Sequence, residues 1–213
     1  MIILFDLDGT LIDSTPAILE SFHTAFKTFN TPIPDDKEIK KLIGLPLDIM
    51  FEKLGIPNEK KWDYVNAYKK HYRPISKQKT SLLPFAKEAI IEASKIATLG
   101  IVTTKTAKYS EELMEHFGVL QYFKVLIGRE DVENPKPHPE PILKALNILG
   151  YKMDKKAFMI GDTCLDSISA KEANITAIGV TSGYGEKNDL LACSDIVVEN
   201  ALKAIYFINP KII

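Results

Sequence analysis

The chain has 213 residues, 46% of them hydrophobic, enough for one good core and a smaller appended unit, and this excludes a disordered or fibrous protein. Its 27 basic and 28 acidic residues leave a formal net charge of -1, so no overall field draws in nucleic acid or an anionic membrane. The two cysteines, Cys164 and Cys193, suggest neither a disulfide framework nor a metal site, and a reducing cytoplasm is the expected location.

The chain opens with the apolar run IILF at 2–5, which is too short for a signal peptide and has no basic leader. It reads as a buried strand, and no later stretch has the apolar length of a membrane span. Asp6-Leu7-Asp8-Gly9-Thr10 follows at once. Two carboxylates two residues apart in extended chain point the same way and repel each other, and a bound hard cation such as Mg²⁺ resolves that repulsion.

Residues 15–80 carry helical patterns and almost no strand signal, so they are expected to form a separate all-helical insert, leaving 1–14 and 81–213 as the core. The first helix is predicted to start at Thr15 as N-cap with Pro16 in its first position, and to place Ile18, Phe22, Phe26 and Phe29 on one face. Gly44 and Gly55 stop the next two helices, and a fourth runs through Trp62, Val65, Tyr68 and Tyr72 until Pro74 ends it. The insert holds 12 Lys or Arg against 8 Asp or Glu, a surplus read as solvated helix faces.

Beyond the insert, short apolar runs at 96–103, 125–127, 157–160, 176–180 and 195–198 alternate with helical patterns such as PEPILKALNILG. That alternation predicts an α/β fold with a doubly wound, parallel, Rossmann-like sheet. Its strand ends hold the remaining chemistry, because open parallel sheets bind ligands beyond their carboxyl ends. After the run at 96–103, Thr103, Thr104 and Lys105 offer hydroxyls and backbone N–H groups to a phosphoryl oxygen. In Asn134-Pro135-Lys136-Pro137-His138-Pro139 the prolines restrict the backbone and aim Lys136, on a loop expected to be exposed and to add little to the core. After 157–160 comes Gly161-Asp162-Thr163-Cys164-Leu165-Asp166, whose two acids bring the carboxylates at strand ends to four. Gly183-Tyr184-Gly185 follows a strand, but without a glycine at 188 the dinucleotide fingerprint fails, and the segment reads as a flexible loop. The four histidines have no zinc-ligand spacing, and there is no G-x-S-x-G elbow.

Taken together, these segments resemble the haloacid dehalogenase superfamily, in its phosphoglycolate-phosphatase-like branch, over essentially the full length. DLDGTLIDS resembles the nucleophile motif, the first Thr of VTTK the phosphate-binding position, the Lys of KPHPEP the basic position and GDTCLD the acidic metal motif. The resemblance implies that 15–80 is a helical cap with Gly44 and Leu45 in its substrate-facing loop. It implies that Asp6 is the nucleophile and Asp8 the acid and base, with Thr10 helping to orient Asp8. Thr103 and Lys136 complete the catalytic set, and Gly9, Thr10, Thr103, Thr104 and Lys105 contact the phosphate. Mg²⁺ is expected on Asp6, the Asp8 backbone carbonyl and Asp162, with Asp166 as ligand or just outside. Thr104 stands where many relatives have Asn, and Asp8 argues against the superfamily's dehalogenases, which lack an acid there.

The expected function is a cytoplasmic Mg²⁺-dependent phosphatase of a small phosphorylated metabolite, acting through an aspartyl phosphate, as monomer or homodimer and without nucleic-acid or membrane partners. A phosphomutase of the β-phosphoglucomutase type, a pyrophosphatase on the same core and a noncatalytic metabolite-binding regulator are the alternatives.

Overall fold

A computed structural model of the chain describes residues 1–152 and 156–210. The described residues form two compact units, one of residues 1–12, 82–152 and 156–210 and the other of residues 13–81. In chain order the elements are β1 (Ile2–Phe5), β2 (Ile12–Asp13), α1 (Thr15–Thr28), α2 (Asp36–Lys40), α3 (Leu47–Lys53), α4 (Lys61–Ile75), β3 (Ser81–Leu82), α5 (Ala86–Ser94) and β4 (Thr98–Val102). They continue with α6 (Ala107–His116), β5 (Phe123–Ile127), α7 (Glu140–Ile148), β6 (Ala157–Gly161), α8 (Cys164–Glu172), β7 (Thr176–Val180), α9 (Lys187–Cys193), β8 (Ile196–Val198) and α10 (Ala201–Ile208).

Six strands make a sheet of order β5-β4-β1-β6-β7-β8, every neighbouring pair parallel. The doubly wound sheet expected from the alternating runs is therefore present. Successive strand residues face opposite sides, so Ile3 and Phe5 pack with α5, α6 and α10 while Ile2 and Leu4 pack with α7 and α8. With helices on both faces, β1 is buried along its whole length, which is why its sequence is an unbroken apolar run.

The second unit is helical between its two short strands. Its core is aromatic: the ring centroids of Phe22 and Phe51 lie 4.6 Å apart and those of Phe26 and Tyr64 lie 5.4 Å apart. Three local expectations are corrected here. Ser14, not Thr15, is the N-cap of α1, because its carbonyl accepts the first helical bond, from the Ile18 N–H at 2.9 Å. Pro74 lies inside the last turn of α4, where its missing N–H removes a single bond, and the helix runs on to Ile75. Trp62 is 55% exposed and Tyr64, at 3%, takes the buried place, since both fit the apolar spacing set by Val65, Tyr68 and Tyr72.

The cysteines also depart from expectation. Cys164 at the start of α8 and Cys193 at the end of α9 form a disulfide, with Cα atoms 5.7 Å apart across a sequence separation of 29. The α8, β7 and α9 segment that separates them in sequence brings its two ends together, so spacing alone carried no sign of the pairing.

Candidate active site

β1 lies at the point where the strand order reverses, with β4 on one side and β6 on the other. Asp6, Thr103 and Asp162 are the residues directly after β1, β4 and β6, so three neighbouring strands deliver them to one crevice. The ladder extends one bond past the strand ends and fixes the first two backbones: the Asp6 N–H donates to the Ile160 carbonyl at 2.9 Å, and the Thr103 N–H to that of Ile127 at 2.9 Å.

Lys136 reaches this point from the proline-rich loop, and it is not the exposed side chain that loop suggests: only 3% of it is accessible. An ammonium has three donors. All three are used, on Asp6 Oδ1 at 2.8 Å, Asp166 Oδ1 at 2.5 Å and the Val102 carbonyl at 3.0 Å. Burial by itself would push the ammonium's pKa down, but the Asp166 and Asp6 carboxylates outweigh it and hold the group above the usual lysine range.

Asp6, Asp162 and Asp166 are all buried, and each offers a carboxylate oxygen within 4.8 Å of the others. Burial, with the charges of Asp166 and Asp8 adding to it, pushes Asp6 up to about 7 in spite of Lys136. Burial followed by the charges of Asp6 and Asp166 pushes Asp162 well above the ordinary carboxylate range. Three buried carboxylates around one ammonium leave negative charge uncompensated, and a set of hard oxygen donors this close fits a divalent cation. Asp166 is held in addition by a neighbour in sequence. Thr163 donates its N–H at 3.1 Å and its hydroxyl at 2.8 Å to Asp166 Oδ2, the capping arrangement of the α8 N-terminus. Thr163 is a residue that sequence reasoning left without a role, although its T-x-x-D spacing was the available signal.

The remaining predicted residues fall as follows. The Asp8 carboxylate lies outside the acidic triad and pairs with Lys105, Nζ to Oδ2 at 3.1 Å. Gly9 has φ of +82°, which a side chain would strain, and its N–H donates to the Ile12 carbonyl at 2.9 Å to close the turn after Asp8. Thr10 does not orient Asp8 by its hydroxyl; it donates instead to Asp162 Oδ1 at 3.2 Å, a partner 152 residues away. Thr104 follows Thr103 in the loop where the Lys105 N–H donates to Thr103 Oγ1 at 3.2 Å. Gly44 and Leu45 belong to the second unit, in a turn between α2 and α3 where Gly44 has φ of 105°.

A family model described as haloacid dehalogenase-like hydrolase matches residues 3–180. A probable phosphatase of Dickeya dadantii is 33% identical over 96% of this chain and 91% of its own length. The phosphoglycolate phosphatase of Salmonella typhi is 30% identical over 85% and 81% respectively. Among solved structures, a haloacid dehalogenase-like hydrolase from Streptococcus pneumoniae superposes with a TM-score of 0.87 at 29% identity, covering 98% of both chains.

Proposed function

The chain belongs to the haloacid dehalogenase-like hydrolase family, and from that premise we propose that it is a Mg²⁺-dependent phosphatase of small phosphomonoesters of the phosphoglycolate kind, working through an aspartyl phosphate on Asp6. The observation that carries the reading is the buried set of Asp6, Asp162 and Asp166 around Lys136, at the carboxyl ends of neighbouring parallel strands.

In this reading a carboxylate oxygen of Asp6 attacks phosphorus, the bond to the leaving oxygen breaks, and the Asp8 carboxyl gives that oxygen its proton. Asp8, now a carboxylate, takes a proton from the water that cleaves the acyl phosphate, which restores both groups. Lys136 and the Thr103 hydroxyl stabilise charge on the transferring phosphoryl group, with Gly9, Thr10, Thr104 and Lys105 as its further contacts. Mg²⁺, held by Asp6, the Asp8 carbonyl and Asp162 with Asp166 as ligand or just outside, would neutralise the repulsion between the acids and the incoming phosphate dianion when bound. Release of phosphate from a panel of phosphorylated metabolites, phosphoglycolate among them, with and without Mg²⁺, tests the reading. Steady release with no bisphosphate activator separates it from a mutase, and no release from any member would overturn it.

The Asp6 shift gives the metal requirement a pH signature. A folded-state pKa near 7 against an ordinary 3.8 means that ionised Asp6 costs the metal-free fold nothing below about pH 4, and the cost grows as pH rises toward 7. Stability of the metal-free protein is therefore expected to fall across that window. Because a cation must displace a proton at low pH, millimolar Mg²⁺ should raise the unfolding temperature more at about pH 8 than at about pH 5. A thermal shift that is the same at both pH values would count against the triad as the metal site.

We assign the choice among substrates to residues 15–80 as a cap, through Gly44 and Leu45. Leu45→Ala is expected to change kcat/KM unequally across metabolites while sparing a small aryl phosphate; equal loss on every substrate would refute the assignment. The reading also carries a cytoplasmic location, against which the Cys164–Cys193 bond stands, since reducing compartments keep thiols free. No helix among the described residues is long and apolar enough to cross a membrane.

A further inference from the structure

The turn after β7, residues 181–185, belongs to none of the motifs used so far, and its glycines suggest a loose loop. It is tied down along its length. The Thr181 N–H donates to the Val198 carbonyl at 3.0 Å, Ser182 Oγ to the Gly9 carbonyl at 2.9 Å, the Tyr184 N–H to Asp162 Oδ2 at 2.8 Å, and the Gly185 N–H to the Asp162 carbonyl at 3.2 Å. Beyond it, α9 ends at Cys193, whose disulfide to Cys164 holds it against the start of α8.

The glycines explain themselves by distance. A Cβ on Gly183 would stand 2.0 Å from Asp162 Oδ2 and 2.6 Å from Asp162 Cβ, and one on Gly185 would stand 2.2 Å from the Asp162 carbonyl oxygen. On the other side, a Cβ on Gly9 would stand 2.2 Å from the same Oδ2. Neither Gly183 nor Gly185 has positive φ. Glycine is required there by close approach and not by backbone conformation. The Asp162 carboxylate is thus pressed between Gly9 and Gly183, with one donor on each oxygen: the Thr10 hydroxyl on Oδ1 and the Tyr184 N–H on Oδ2. A carboxylate held in this way cannot rotate, and about two of its four lone-pair directions remain for a cation.

We propose that Gly183, with the turn at 181–185, is the positioning element of Asp162, setting the rotation of its carboxylate so that it shares a divalent cation with Asp6 and Asp166. This rests on the metal reading above. Gly183 touches no substrate; it acts through Asp162, as residues around a metal ligand commonly do, where their loss weakens affinity roughly 10–100-fold.

The test is calorimetric titration of the substrate-free protein with Mg²⁺, which reads binding and not turnover. Gly183→Ala is expected to raise the dissociation constant by about 10-fold or more, and saturating Mg²⁺ should return most of the lost kcat. A role in the fold alone would lower stability and leave both quantities in place. Should Gly183→Ala fail to fold, Ser182→Ala carries the test: it removes the tie to Gly9 without adding bulk and should weaken Mg²⁺ by roughly 3-fold, on the scale of one neutral hydrogen bond. Wild-type protein that binds Mg²⁺ alongside variants that bind it equally well would overturn this inference and leave the metal reading standing. Wild-type protein that binds no Mg²⁺ would overturn both.

Discussion

Replacing Asp6 by Asn is expected to reduce turnover by roughly 10⁴-fold or more and to remove covalent phosphate from the protein, because an amide oxygen is a poor attacking group. The fold should survive. Asp6 is buried and its ionisation is disfavoured, so an uncharged side chain of the same shape relieves repulsion with Asp166 and Asp162, while Lys136 keeps Asp166 and the Val102 carbonyl. The unfolding midpoint of metal-free Asp6→Asn should therefore be no lower than that of the wild type at about pH 8. Asp8→Asn makes the contrast: it keeps the nucleophile but removes the acid and base, so an activated aryl phosphate can still phosphorylate Asp6 while water attack is slowed. Rapid quenching and mass spectrometry of the peptide bearing Asp6 should find the phosphoryl group in Asp8→Asn and not in Asp6→Asn. Full activity in Asp6→Asn, with reversion to the acid excluded by mass, would reject the covalent mechanism in favour of direct attack by water.

Lys136→Met should be costly twice over. From its sequence the lysine sits on a proline-rich loop, and its loss would touch the rate alone; its burial changes that expectation. Removing it strips a charge partner from Asp6 and Asp166 in a buried site, which typically destabilises by about 3–5 kcal/mol when one member of a buried ion pair is lost. The rate loss, from one electrostatic stabiliser, should be about 10²-fold or more. The sign of the pH response separates the two effects. Without the ammonium Asp6 and Asp162 are driven still higher, so the variant's stability should recover as pH falls and they take up protons, while its activity should not. Urea unfolding at several pH values, beside kcat measured at saturating Mg²⁺, reads both. Unfolding equal to wild type at about pH 8 would mean that Lys136 is not the principal counter-charge of the acidic set.

What could be read from the sequence was local. The apolar runs of the parallel strands are continuous because both faces of the sheet are covered, so the pattern carries the burial with it. The acids fall directly after those runs because the crevice of such a sheet lies beyond its carboxyl ends, which made Asp6, Thr103 and Asp162 legible before any partner was known. Family membership rested on the same short segments, since motif order and spacing are one-dimensional properties.

The tertiary structure decided whatever depends on which distant segments meet. Lys136 is buried because three acceptors from β1, β4 and α8 converge on it, and no local pattern in the proline-rich loop encodes that convergence. The Thr10 hydroxyl turns to Asp162 and not to Asp8 because β1 and β6 are neighbours in the sheet. Cys164 and Cys193 join because α8 and α9 bring their ends together. The Gly183-Tyr184-Gly185 turn looked like slack chain because glycine reports freedom in a sequence, and only the position of Asp162 beside it shows that the missing side chains make room for a carboxylate.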